Sequence, residues 1–140
     1  MRAPSLYKHF PDKAAVEVAL IDTGFIEIEA AVRKAVASEG ASLATIANAY
    51  RAFATASPHL YRLMTEGRLP RERLRPGVEA AAAAPLLEVC GDPDLARAVW
   101  SFAHGMTILE LDSRFPDSAD LVAAWQEGIH AFEAWRKQRT

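Results

Sequence analysis

Residues 12–40 read DKAAVEVALIDTGFIEIEAAVRKAVASEG, and this stretch decides the fold class. Five of its apolar residues recur at intervals of three and four, as on one face of an α-helix: Val18, Ile21, Phe25, Ile28 and Val32. Asp12 suits the N-cap, and Gly40 suits the C-cap. The pattern therefore predicts a long amphipathic helix from Asp12 to about Ser38.

The rest of the chain predicts further helices separated by short breaks. The predicted helical segments are 42–57, 58–66, 78–90 with a kink or restart at Pro85, 95–111, and about 119–137. Residues 67–77 contain two prolines and no sustained period, which predicts a loop. Alanine, the best helix former, occurs 28 times, and strand signals are almost absent. We therefore expect an all-α fold.

Composition limits the class of protein. Hydrophobic residues make up 51% of the 140 residues, and the formal net charge is −2, so a nucleic-acid contact must be confined to a patch. A single cysteine, Cys90, predicts a reducing compartment. With 12 arginines against 4 lysines, the residue usage is typical of a GC-rich bacterial genome. We expect a cytoplasmic protein without membrane contact, associated with the nucleoid when DNA is bound.

The patterns that mark common enzymes are missing from the sequence. The four histidines form no metal-binding pair at helical spacing, and the seven glycines form neither a dinucleotide fingerprint nor a phosphate loop. Cys90 has no evident histidine partner. We therefore expect no catalysis, no metal and no cofactor.

The first motif that carries a function is APSLYKHFPDK, residues 3–13. It resembles the recognition helix of the TetR family of transcriptional regulators, followed by the start of the next helix. In that family this helix enters the major groove as the second half of a helix-turn-helix. The resemblance implies DNA contacts by five residues: Ser5, Tyr7, Lys8, His9 and Lys13. Lys13 would lie in the first turn of the long helix, where a phosphate offsets its unfavourable position in the helix dipole.

The second motif is WSFAHG, residues 100–105. It resembles the Trp-x-x-x-His-Gly signature of one TetR-like C-terminal domain, the WHG domain. In the family the last two helices of each subunit pair into a four-helix dimer interface, so the resemblance implies a homodimer that uses segments 94–112 and 119–137. The predicted interface residues are Gly105, Leu109, Trp125, Gly128 and Phe132.

A ligand pocket is the second implication of this resemblance. Trp100 and His104 lie one helical turn apart, and Tyr61 and Met64 could line the same cavity for a small, mostly apolar effector. For all four residues, ordinary core packing is the alternative, with the imidazole of His104 hydrogen-bonded to a carbonyl group.

Together these features predict two domains. Residues 1–38 would be the remnant of a helix-turn-helix domain, and residues 39–140 the ligand-binding and dimerisation domain of a ligand-responsive repressor. The two helices that precede a recognition helix are missing from the sequence, so we expect weak operator binding by this chain. A late start codon, a fragment or a natural truncation would each explain this. The alternative function is a helical ligand-binding or dimerisation module without DNA-binding activity.

Overall fold

The computed structural model describes residues 12–139, which form helices, turns and loops and no strand. The helices are α1 (Lys13–Glu39), α2 (Leu43–Ala56), α3 (Pro58–Thr65), α4 (Val78–Cys90), α5 (Pro93–Leu111) and α6 (Leu121–Gln138). A single 3-10 turn, Arg71–Arg73, interrupts the loop between α3 and α4. The predicted all-α class is confirmed. The predicted DNA contacts Ser5, Tyr7, Lys8 and His9 lie outside the described residues.

Side-chain caps explain where four of these helices begin. The carboxylate of Asp12 accepts a hydrogen bond from the backbone N–H of Ala15 at 2.7 Å, and the Ser42 hydroxyl accepts one from Thr45 at 3.0 Å. Equivalent caps start α5 and α6. Each cap satisfies a backbone donor that the first helical turn leaves free. The cap at Asp120 also explains why α6 begins two residues later than predicted.

Helix α4 differs from the prediction at Pro85. The helix runs from Val78 to Cys90 without the expected restart, with Pro85 buried inside it. Proline removes one backbone hydrogen bond from a helix interior, so packing has to hold this segment together. Gly91 ends the helix with a positive φ of 70°, a conformation that favours glycine.

The core consists of two clusters that meet at α2. Leu43 and Ala47 of α2 pack with residues of α4, α5 and α6, whereas Ile46 packs with α1 and Met64 of α3. The α1 stripe is largely as predicted, but Val18 is only half-buried and the more buried valine is Val16. Helix α2 is therefore the central helix of the bundle.

Gly128 of α6 lies directly under an aromatic ring of the same chain. A Cβ atom at this position would lie 2.8 Å from Cε2 of Phe102 and closer still to two other ring atoms. The ring of Phe102 also packs edge-on against Trp125 and Phe132, with centroids 5.5 and 5.7 Å away. The glycine therefore allows α5 and α6 of one subunit to pack closely.

We expect Gly128→Ala to lower the free energy of unfolding by about 1–3 kcal/mol, as overpacking does, although alanine favours helix. Urea unfolding measured by circular dichroism checks this value. Phe102→Leu should remove much of the clash, so the double variant should be more stable than the sum of the two single changes predicts. Strict additivity would contradict the contact.

Candidate functional site

Two tyrosines and a histidine form a hydrogen-bonded cluster between α2, α3 and α5. The hydroxyl of Tyr61 lies 2.6 Å from Nδ1 of His104, and it also shares a hydrogen bond with the hydroxyl of Tyr50. The two tyrosine rings meet edge-to-face at 5.6 Å. Tyr61 is almost completely buried, at 1% exposure. The cluster thus joins three helices through polar groups inside an otherwise apolar bundle.

Burial keeps the cluster uncharged near neutral pH. Desolvation raises the pKa of Tyr50 to about 12 and also raises the pKa of Tyr61. It lowers the pKa of the His104 imidazole below its usual value. A neutral imidazole can accept a hydrogen bond at Nδ1 from the Tyr61 hydroxyl when its own proton is on Nε2. Tyr50 can then donate to the oxygen of Tyr61.

Thr107 and Trp100 border the cluster on opposite sides. Thr107 is fully buried, and its hydroxyl lies beside that of Tyr61. The indole of Trp100 lies near the Tyr50 hydroxyl, but 52% of its surface is exposed. Core packing therefore does not describe Trp100, which forms the solvent-facing side of the cluster.

Met64 lies apart from the other three predicted ligand residues. It packs in the apolar core between α1 and α2, and a Cβ atom added at Gly24 of α1 would lie 2.7 Å from the Cγ atom of Met64. Tyr61 bonds directly to His104, and Tyr50 links Tyr61 to Trp100. Tyr50 is not among the predicted site residues. The missed signal is chemical, because a tyrosine in an apolar stripe needs a partner for its hydroxyl.

The predicted dimer residues fall into two groups. Gly105 and Leu109 lie towards the outside of α5, with open space beyond the Gly105 Cα and 42% exposure for Leu109. Trp125 is only 5% exposed, so its own subunit already covers it. Gly128 and Phe132 pack against Phe102 of the same chain, as described above. For these last three residues the observed contacts are within the subunit, and their predicted contact with a partner stays a prediction.

Lys13 is the predicted DNA contact that the structure describes. It lies in the first turn of α1 with a mostly exposed side chain, and its Nζ atom is 3.8 Å from a carboxylate oxygen of Glu17. Such an exposed pair is weak, so it leaves the ammonium group accessible to another anion.

Comparison with known families identifies the domain. Residues 43–132 match the family described as the tetracyclin repressor-like, C-terminal domain. The chain belongs to this family. The TetR-like domain therefore begins at the first residue of α2 and covers most of α6, and it is a regulatory domain of a non-enzymatic family.

A solved structure shows the same fold. The TetR-like chain superposes on the "Crystal structure of putative regulatory protein SCO4313" with a TM-score of 0.73 and 24% sequence identity, over 94% of this chain and 79% of that one. None of the curated proteins matches it.

Within residues 12–139, no helix is long and apolar enough to cross a membrane. The same residues contain no group of three or more metal-ligating side chains that could hold an ion. Cys90, at the end of α4, is buried, and burial raises the pKa of its thiol.

Proposed function

We propose that this protein is a TetR-type transcriptional regulator that binds operator DNA as a homodimer and releases it when a small effector binds. The observation that carries the proposal is the TetR-like domain at residues 43–132 preceded directly by the long helix α1. That helix follows the segment that resembles a recognition helix. Operator contacts are assigned to Ser5, Tyr7, Lys8, His9 and Lys13, and the regulation is assigned as repression.

Two contacts support a mechanical role for α1. Met64 of α3 packs against the backbone at Gly24, as described above. The buried carboxylate of Asp22 accepts a hydrogen bond of 2.9 Å from the backbone N–H of Arg75, in the loop between α3 and α4. A movement of α3 and its following loop would therefore be passed to α1.

Helix α3 is well placed to couple the effector to α1. Tyr61 and Met64 are three residues apart, so they lie on neighbouring positions of one helix face. Tyr61 bonds to His104 of α5, whereas Met64 contacts α1. An effector that replaced the bond between Tyr61 and His104 would shift α3, and Met64 would push on Gly24. The coupling required is about 1–3 kcal/mol, which the loss of such contacts can supply.

The effector is proposed to be small and mostly apolar, with one polar group for the Tyr61–His104 cluster. Trp100 would cover the side of the effector that faces solvent. Met64, one turn after Tyr61 on α3, would pass the movement of this helix to α1. The buried hydroxyl of Thr107, beside Tyr61, offers a further polar group. This composition, an apolar site with few polar groups, is typical of small-molecule pockets.

The proposed dimer surface is the outer face of α5 and α6. Within residues 12–139, six large hydrophobic residues are exposed, and four of them are on these two helices: Trp100, Leu109, Val122 and Trp135. Exposed apolar surface marks interaction sites. On α5, Leu109 lies on the same side as Gly105, whereas Trp100 lies on the opposite side, because nine residues correspond to two and a half turns. Gly105 would let a partner helix approach closely.

The DNA-binding part of this proposal is tested by selecting the genomic DNA fragments that the protein binds. The protein isolated from its own cells is incubated with fragmented genomic DNA, and enriched fragments are titrated at a fixed salt concentration. We expect a palindromic fragment, with binding weakened about tenfold by Lys13→Glu. Lys34→Glu, an exposed lysine near the other end of α1, is the matched control and should bind normally. If no fragment is enriched, the DNA-binding function is wrong and a helical ligand-binding or dimerisation module remains.

A further inference from the structure

Residues 67–77, in the loop between α3 and α4, carry a concentrated positive charge. This segment contains one carboxylate, Glu72, and four arginines: Arg68, Arg71, Arg73 and Arg75. Four positive charges and one negative charge give it a formal charge of +3, although the whole chain has a net charge of −2. Positive charge gathered in one patch of an otherwise acidic protein is typical of a surface that meets nucleic acid.

Two of these arginines are already paired with carboxylates. The guanidinium of Arg68 donates two hydrogen bonds of 3.2 Å to Glu72. The guanidinium of Arg71 donates two hydrogen bonds, of 2.7 and 2.8 Å, to Glu79 in the first turn of α4. Arg73 and Arg75 are exposed, and neither side chain forms an ion pair among residues 12–139. These two guanidinium groups are therefore available to a partner outside the chain.

The loop lies beside the first half of α1. The backbone N–H of Arg75 donates a hydrogen bond of 2.9 Å to the carboxylate of Asp22, which is only 9% exposed. Asp22 is the tenth of the 27 residues of α1. The far ends of α1 and α4 also lie together, because Val36 and Val89 line one groove. The two helices therefore run in parallel, and the loop lies at the end of the bundle where α1 begins.

The proposed operator lies at this same end of α1. Lys13 is a proposed operator contact, and Asp22 follows it by nine residues, which is about 14 Å along the helix axis. At ~0.1 M salt, exposed charges attract each other over about 10 Å, and farther at lower salt. A DNA duplex carries one negative charge for about every 1.7 Å of its axis, so it is an extended anionic surface. The planar guanidinium of arginine matches the oxygens of a phosphate group.

We infer that the loop of residues 67–77 is an accessory DNA contact, in which Arg73 and Arg75 bind backbone phosphates beside the operator half-site. The inference rests on the proposed function, because it requires the start of α1 to lie at the DNA. Contacts with phosphates position a protein on the duplex and add affinity without reading the sequence. The TetR-like domain itself would then contribute to the affinity for DNA, but not to the choice of sequence.

The test is the salt dependence of DNA binding by the protein produced in its own cells. A fragment enriched in the selection described above is titrated by fluorescence anisotropy between about 50 and 200 mM salt. Replacing both free arginines, Arg73→Gln with Arg75→Gln, should weaken binding about tenfold at the lowest salt concentration. The slope of log Kd against log salt concentration should fall by about two, one for each lost phosphate contact. The ratio of Kd values for the enriched fragment and an unrelated fragment should stay the same.

Two further variants separate a phosphate contact from a general effect of charge. Arg73→Lys with Arg75→Lys keeps both positive charges, so its slope should stay near that of the native protein. Lys34→Gln removes an exposed positive charge near the other end of α1, and it should leave the slope unchanged. Circular dichroism should be the same for all these variants, because each changed side chain is exposed.

The outcomes distinguish this inference from the proposed function. A native protein that binds no DNA fragment would overturn both. Native binding with an unchanged slope in the glutamine variant would overturn the inference alone, and so would an equal loss of slope in Lys34→Gln. A loss of affinity that is the same at every salt concentration would also overturn it, because the loop would then support another part of the protein and not contact phosphates.

Discussion

Replacing Tyr61 by alanine should lower the free energy of unfolding by about 3–5 kcal/mol, as large-to-small changes of buried aromatic residues do. The ring is 1% exposed, and its hydroxyl joins Tyr50 of α2 to His104 of α5. The loss should be near the upper end because α3 has only eight residues and an isolated helix of this length is unstable in water. Urea unfolding at one fixed protein concentration measures it.

Tyr61→Phe is the matched control for this prediction. It keeps the ring and removes only the hydroxyl, so Tyr50 and His104 each lose a hydrogen-bond partner. We expect a smaller loss of about 1–3 kcal/mol, the cost of leaving buried polar groups unpaired. A Tyr61→Ala variant within about 1 kcal/mol of the native protein would show that the cluster does not hold the three helices together.

Leu109→Glu is expected to dissociate the proposed dimer. The leucine is 42% exposed on α5, on the face proposed to meet the partner subunit. Burying an uncompensated carboxylate there should cost about 3 kcal/mol or more. Because each 1.4 kcal/mol is a factor of ten and a homodimer carries the change in both subunits, the dimer dissociation constant should rise by at least about a hundredfold. Sedimentation equilibrium over a range of concentrations measures the change.

Leu87→Glu is the control for the dimer prediction. Leu87 is 39% exposed on α4, so the same change is made at similar exposure but away from the α5–α6 face. This variant should remain as dimeric as the native protein. A native protein that is monomeric at tens of micromolar, or a Leu87→Glu variant that dissociates while Leu109→Glu does not, would place the interface elsewhere or remove it.

Much of the fold could be predicted from local patterns. The spacing of Ile21, Ile28 and Val32 predicts α1 because one helix face repeats at that period. The caps at Asp12 and Ser42 could be predicted because a short polar side chain before an apolar run can satisfy the first free backbone donors. The motif at residues 100–105 indicated the family, which the match over residues 43–132 confirms.

The candidate site could be predicted only in part, because its members are far apart in the sequence. Tyr50, Tyr61 and His104 belong to three different helices. The spacing of apolar residues within one helix predicts which side of that helix is buried, but it does not indicate which other helix packs there. Trp125 and Gly128 of α6 illustrate the same limit. Their helix face was identifiable, but the sequence could not say whether Phe102 or a partner subunit would cover it.

Most helices, the caps of α1 and α2 and the family could be predicted from local sequence, since these depend on neighbouring residues and on a motif within one helix. The tertiary structure alone decided that Tyr50 completes the cluster, that Met64 contacts α1 and that Trp100 faces solvent. The physical reason is that burial and hydrogen-bond partners across helices depend on how the helices pack. Packing between distant segments is a property of the whole chain.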